Sequence, residues 1–229
     1  MKNESKSNIG EHEKYRYEEC YAKILLERVY PEIYTDLSIL DKPDLQNEVL
    51  QVGVEVTSAV PSSLREAKAC WIKAIKTNDA KIKDKYVKRM KQLGYTYTGG
   101  VQSWLRDDFD QLDIEHLYEE TSLLDLEKSI TQKLEKLNGG GFKELKQMDL
   151  YVDAMSSLFS INEEDVCKVV KSANVGEKHF RKIIINFMED NEIVMIDTDE
   201  EKYMVNSYDR KQYEYALAAL DIIRKEDTE

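Results

Sequence analysis

Sulfur and histidine are too scarce and too scattered in this chain to organise it. Its three cysteines, Cys20, Cys70 and Cys167, are odd in number and far apart. They fit neither a disulfide framework nor a zinc site and read as reduced thiols of a cytoplasmic protein. His12, His116 and His179 lie away from any cysteine or second histidine at ligand spacing, which also argues against zinc. No window is apolar for long enough to cross a bilayer, so no membrane association is expected. Residues 1–11 lack an apolar h-region, so a signal peptide is not expected either. There is no Gly-x-Ser-x-Gly elbow, and the glycines of 94–104 are not followed by the Gly-Lys-Ser/Thr of a phosphate loop.

Positive charge is the other shortage. Lysine and arginine number 33 against 45 acids, a net charge of −12. Proteins that grip nucleic acid usually show a basic face, because counterions released from phosphates supply much of the affinity. The cations are unevenly spread, however. Lys68, Lys73, Lys76, Lys81, Lys83, Lys85, Lys88, Arg89 and Lys91 form a basic run inside an acidic chain, so a local nucleic-acid surface survives the global balance. A solvated helix face explains the same run equally well. With 229 residues, 41% of them hydrophobic, the chain has material for one sizeable domain or a core with an appendage.

The most informative stretch runs from Asp41 to Thr57. Val52, Val54 and Val56 alternate with Gly53, Glu55 and Thr57, which predicts a strand with an apolar face for helices and an opposite face free for chemistry. A carboxylate in the middle of such a strand is costly unless it is paired, hydrogen-bonded or bound to a cation. Pro43-Asp44 lies in a segment able to pair with this strand as a hairpin, with Leu45–Gln46 as a short strand and Asn47-Glu48 as the turn. Two acids converging from neighbouring strands suit a hard divalent ion.

An acid on one strand followed by Glu-x-Lys on the next is the pattern of the PD-(D/E)XK nuclease superfamily, which includes many restriction, repair and phage enzymes. Pro43-Asp44 and Glu55-Val56-Thr57 resemble it, with Thr57 standing where the family usually has lysine. The resemblance implies an α/β fold: a restriction-endonuclease-like αβββαβ core, its mixed central sheet flanked by helices. It implies Mg²⁺ or Mn²⁺ held by Asp44, Glu55 and the Val56 carbonyl, with Glu27 from the preceding helix contributing through water. It also implies hydrolysis of a nucleic-acid phosphodiester, DNA being favoured, with a lysine from a nearby helix replacing the one missing at Thr57. A homodimer and a protein partner are both compatible with it.

Around this centre, His12–Val29 is predicted as a helix ended by Pro31. Residues 33–39 alternate as a strand. A helix opening at Pro61-Ser62-Ser63 carries Lys68 and Lys73, of which Lys68 is the preferred substitute lysine. Residues 94–104 read as a connector, and 113–137 as a long helix with a second N-cap option at Thr121-Ser122. Ile130–Asn138 followed by Met148–Val152 resembles the helix and strand that complete the superfamily core, with Gln132 and Lys133 as its polar residues to test. From 157 onward a short helix, three short apolar segments and a closing helix at 213–224 form a C-terminal α+β extension. The division expected is therefore a flexible start over 1–11, a nuclease-like core over 12–156 and the extension over 157–229. The competing function is a non-enzymatic one, either the same fold without activity or an acidic protein-binding domain, favoured by the net charge and by Thr57.

Overall fold

The computed structural model describes residues 9–77, 79–102, 111–115, 121–154, 162–208 and 211–226. The chain divides into two compact units, one made of Met1–Ala59 with Leu126–Glu229, the other of Val60–Asp125.

The first unit is built on a seven-stranded mixed sheet. Its strands are β1 (Ser38–Ile39), β2 (Leu45–Asn47), β3 (Val52–Ser58), β6 (Gln147–Ala154), β7 (Lys182–Phe187), β8 (Glu192–Asp197) and β9 (Lys202–Ser207), in that spatial order. The strands β3, β6 and β7 run parallel, and the flanking pairs are antiparallel. The three strands of residues 182–207 thus continue the same sheet that holds β3. Both faces are covered, as parallel strands require. On one face, helix α1 (Ile9–Val29) and helix α6 (Gln212–Glu226) bury Tyr21, Leu25, Ala216 and Ala219 against Val52, Val54, Val56, Tyr151 and Ile184. On the other lie α4 (Leu123–Asn138) and α5 (Glu163–Ala173), whose buried stripes are Leu126, Ile130, Leu134 and Leu137, and Val166, Val170 and Ala173. The strict alternation of the three valines is what fixes β3 in this register, since a one-residue slip would bury Glu55 against α1.

The second unit contains α2 (Ser62–Lys76), α3 (Ala80–Gln92) and a two-stranded hairpin of β4 (Thr96–Gln102) and β5 (Gln111–Glu115). Three sequence expectations change here and nearby. Residues 94–104 contain a strand, not only a connector. The helix expected over 113–137 begins at Leu123, because 111–115 pair with β4 and Ser122 caps the helix: Ser122 Oγ accepts the Asp125 N–H at 3.2 Å while its own N–H donates to Asp125 Oδ2. The strand expected over 33–39 is reduced to Ser38–Ile39. The preceding residues turn instead, with the Ile33 and Tyr34 N–H groups donating to the Tyr30 carbonyl. Tyr30, Tyr34 and Leu37 are the residues this turn buries.

Candidate active site

The β2–β3 register places Leu45 opposite Val54. Continued by one residue, it sets Asp44 across from Glu55, on the sheet face opposite the valines. Two local features hold Asp44 there. Its Oδ2 accepts the Val56 N–H at 2.8 Å. Pro43 lies over Gly53, where an added Cβ would come within 2.6 Å of Pro43 Cγ, 2.8 Å of Leu145 Cδ1 and 2.9 Å of Met148 Sδ. Glycine at 53 is thus a condition of the close approach, while Gln46 Nε2 donates to the Pro43 carbonyl at 2.8 Å and steadies the turn.

Glu55 is almost fully buried, and its Oε1 forms an ion pair with Lys133 Nζ from α4. The other oxygen, Oε2, is buried without a hydrogen-bond donor. Burial raises the Glu55 carboxyl above its ordinary range, the neighbouring Asp44 charge adds to the shift, and Lys133 and Lys136 oppose it. Asp44 is likewise raised by burial, against the Val56 N–H, Lys133 and a side-chain hydrogen bond with the neighbouring Glu55 carboxyl. Burial thus disfavours the charged forms of both acids, and a cation bound between them would favour ionisation of both.

The sequence-derived residues distribute as follows. Asp44, Glu55 and Lys133 come together. Thr57 is half-buried two residues beyond Glu55 on the same strand and face. Val56 lies past the end of the β2–β3 ladder, so its backbone edge faces the side from which Asp44 approaches. Glu27 is engaged elsewhere: its Oε1 accepts from Lys23 Nζ at 2.5 Å and from the Leu37 N–H at 2.8 Å, tying α1 to the turn that follows. Lys68 belongs to α2 in the second unit, and its side chain lies outside the described residues. Lys136, one turn beyond Lys133, is near enough to act on Glu55 and was not singled out from the sequence.

A second polar cluster, also missed, is buried on the opposite face. Asp149 Oδ2 accepts from Tyr34 Oη at 2.7 Å and Gln147 Nε2 at 2.6 Å, and its Oδ1 from the Lys182 N–H at 3.0 Å. Asp153 Oδ1 accepts from Tyr151 Oη and Asn186 Nδ2, both at 2.9 Å, and Tyr208 Oη donates to Asn186 Oδ1. The signal available in the sequence was the alternation of 147–154, which sets Gln147, Asp149, Tyr151 and Asp153 on one face of a strand whose other face is apolar.

The arrangement defines an α/β protein whose mixed sheet carries two carboxylates and a lysine on one face. The chain matches no family model, and no curated protein or solved structure matches it. Among the described residues no group of three His, Cys, Asp or Glu side chains is placed to hold a metal, so any ion here would rest on fewer protein carboxylates. The donors are nevertheless of the kind a hard cation takes: two carboxylates, one with an unpartnered buried oxygen, beside a backbone carbonyl.

Proposed function

We propose that the protein is a metal-dependent nucleic-acid phosphodiesterase, DNA being the favoured substrate, with a divergent PD-(D/E)XK-type site on a restriction-endonuclease-like core. The observation that carries this reading is the convergence of Asp44 and Glu55 from adjacent strands, with the buried Glu55 Oε2 left without a partner. Asp44, Glu55 and the Val56 carbonyl would hold Mg²⁺ or Mn²⁺, whose small number of protein ligands suits an ion that keeps waters and substrate phosphate oxygens. Bound there, the ion supplies charge stabilisation at the phosphate and an acidified water.

The chain's own residues complete the site. Lys133 supplies from α4 the cation that Thr57 does not, and its ion pair with Glu55 supports this role over Lys68. Its ammonium offsets the Glu55 charge in the resting site and presents donors for a phosphoryl oxygen or for the attacking water. Pro43 over Gly53 holds Asp44 in register, so the acid is positioned before substrate arrives. The Val56 N–H keeps the Asp44 carboxylate oriented.

The test is cleavage of plasmid, single-stranded DNA and RNA with Mg²⁺ or Mn²⁺, comparing the wild type with Glu55→Gln. Loss of cleavage in Glu55→Gln is expected. Equal activity in both proteins overturns the reading. A protein that neither cleaves nor binds Mn²⁺ favours the non-enzymatic alternative, for which Thr57 and the net charge of −12 speak.

A further inference from the structure

The second unit carries a concentration of positive charge that the catalytic reading does not use. Between Ser62 and Gln92 there are ten lysines and arginines against three acids, in a chain that is otherwise strongly acidic. Within α3 alone, Lys81, Lys83, Lys85, Lys88, Arg89 and Lys91 face one acid, Asp84. The helix is started by Asp79, whose Oδ1 accepts the Lys81 N–H at 2.8 Å. It is anchored by Met90, the one residue of α3 that is buried.

Part of this charge is neutralised nearby and part is not. Asp84 takes Lys88 at 2.8 Å, and Glu66 of α2 takes Arg89 through two bonds of 2.6 and 3.0 Å. Among the described residues, Lys81, Lys85 and Lys91 meet no acid. Lys81 and Lys85 stand at i, i+4 spacing, a like-charge pair that destabilises a helix in isolation, and Arg89, held by Glu66, follows one turn further on the same face. Together with Lys88, Tyr86, Gln92, the acid Asp84 and Cys70 of α2 they line a groove of about 530 Å³ beside α3.

We propose that this α3 face is a docking surface for the phosphodiester backbone of a nucleic acid. The repulsion along the face is relieved by a ligand that brings regularly spaced anions, and a phosphate chain is such a ligand. At about 1.5 Å rise per residue, successive cations on the face are about 6 Å apart, and the stretch from Lys81 to Gln92 spans about 16 Å. With phosphates every ~3.4 Å along the axis of one DNA strand, that length covers roughly five of them. A membrane surface is a poorer match, because an interfacial helix needs a broad apolar face to insert. Here Tyr86 and Val87 are half-buried, Met90 is buried, and Ile82 is the large apolar residue of α3 left exposed. The contacts are to backbone and carry no base information, so the surface would bind with little sequence preference. This inference draws on the nucleic-acid part of the function proposed above, but it does not require cleavage.

The test uses the full chain in EDTA, so that binding is measured without metal or hydrolysis. Fluorescence anisotropy with a labelled DNA duplex, its single strand and the matching RNA would be recorded over a range of salt concentrations. The triple variant Lys81→Gln, Lys85→Gln, Lys88→Gln should bind at least about tenfold more weakly and lose about 2–3 from the slope of log K against log salt. The corresponding triple arginine variant should bind like the wild type, which separates charge from folding. Because binding is read in EDTA, without cleavage, a failed cleavage assay overturns the nuclease reading and leaves this one standing. The proposal is overturned if no nucleic acid binds, or if the glutamine variant keeps the wild-type affinity and slope. Capture by phosphatidylserine vesicles with no binding to DNA or RNA overturns it in favour of a membrane surface.

Discussion

Lys133 and Glu55, 78 residues apart in sequence, form an ion pair on the sheet face opposite α1, with both side chains largely out of water. Neither charge has an independent reason to be there: β3 is otherwise a valine strand, and α4 buries leucines and isoleucine on the same side. Removing one partner from such a pair leaves the other desolvated and uncompensated.

Lys133→Met should therefore destabilise the protein by about 2–4 kcal/mol near pH 7.5, read from urea denaturation midpoints. The loss should be smaller at acidic pH, because Glu55, raised by burial, takes up a proton more readily than an ordinary carboxylate. Adding Glu55→Gln to Lys133→Met should recover most of the stability. A loss of the same size at both pH values would show that packing of the lysine stem, and not its charge, is what matters.

Gly53→Ala should cost about 1–3 kcal/mol by overpacking, since its Cβ has no room beneath Pro43, Leu145 and Met148. Because Pro43 carries Asp44, the same methyl should weaken Mn²⁺ binding more than it lowers stability. Calorimetric titration with Mn²⁺ beside a thermal melt separates the two effects. Wild-type Mn²⁺ affinity in a destabilised Gly53→Ala protein would detach the glycine from the site.

Asp44→Asn should behave in the opposite sense, losing function while keeping or gaining stability. The amide oxygen can still accept the Val56 N–H, the desolvated charge disappears, and Glu55 is freed of its nearest like charge. The expected outcome is a melting temperature equal to or above that of the wild type, with Mn²⁺ binding and cleavage abolished. A variant that unfolds would mean that the charge on Asp44 is needed for the fold itself.

How much of this was readable beforehand depended on the kind of signal. The valine alternation of β3 is a period-two pattern with no rival period, and it placed Glu55 on the sheet face opposite the valines without coordinates. Lys133 was visible as a polar residue on the helix before β6, but α4 alone could not say that it faces Glu55, because that pairing comes from the parallel β3–β6 crossover. Glu27 was plausible by position and is taken by the Leu37 N–H, a contact created by a turn that the sequence suggested was a strand. There, the burial of Tyr30, Tyr34 and Leu37 follows a turn, while residues 33–39 also happen to alternate. Asp149 and Asp153 were hidden for a different reason: their partners Tyr34, Lys182 and Asn186 arrive from segments far along the chain.

Those two acids give the protein a pH dependence with a definite sign. Burial pushes each of Asp149 and Asp153 up from 3.8 to about 6, against the hydrogen bonds that favour their ionised forms. The folded state thus holds a proton that the unfolded state has released between about pH 4 and pH 6. Stability contributed by each group is complete below pH 4, falls as pH rises through that window, and is lost above about pH 6, by on the order of 3 kcal/mol at most. Asp153→Asn removes one of the two titrations while its amide oxygen keeps accepting from Tyr151 Oη and Asn186 Nδ2. Relative to the wild type, Asp153→Asn should therefore gain stability steadily from pH 4 to pH 6.5 and run parallel to it above that. Urea midpoints measured across the range provide the check, and a constant offset between the two proteins at every pH would show that Asp153 is already ionised throughout.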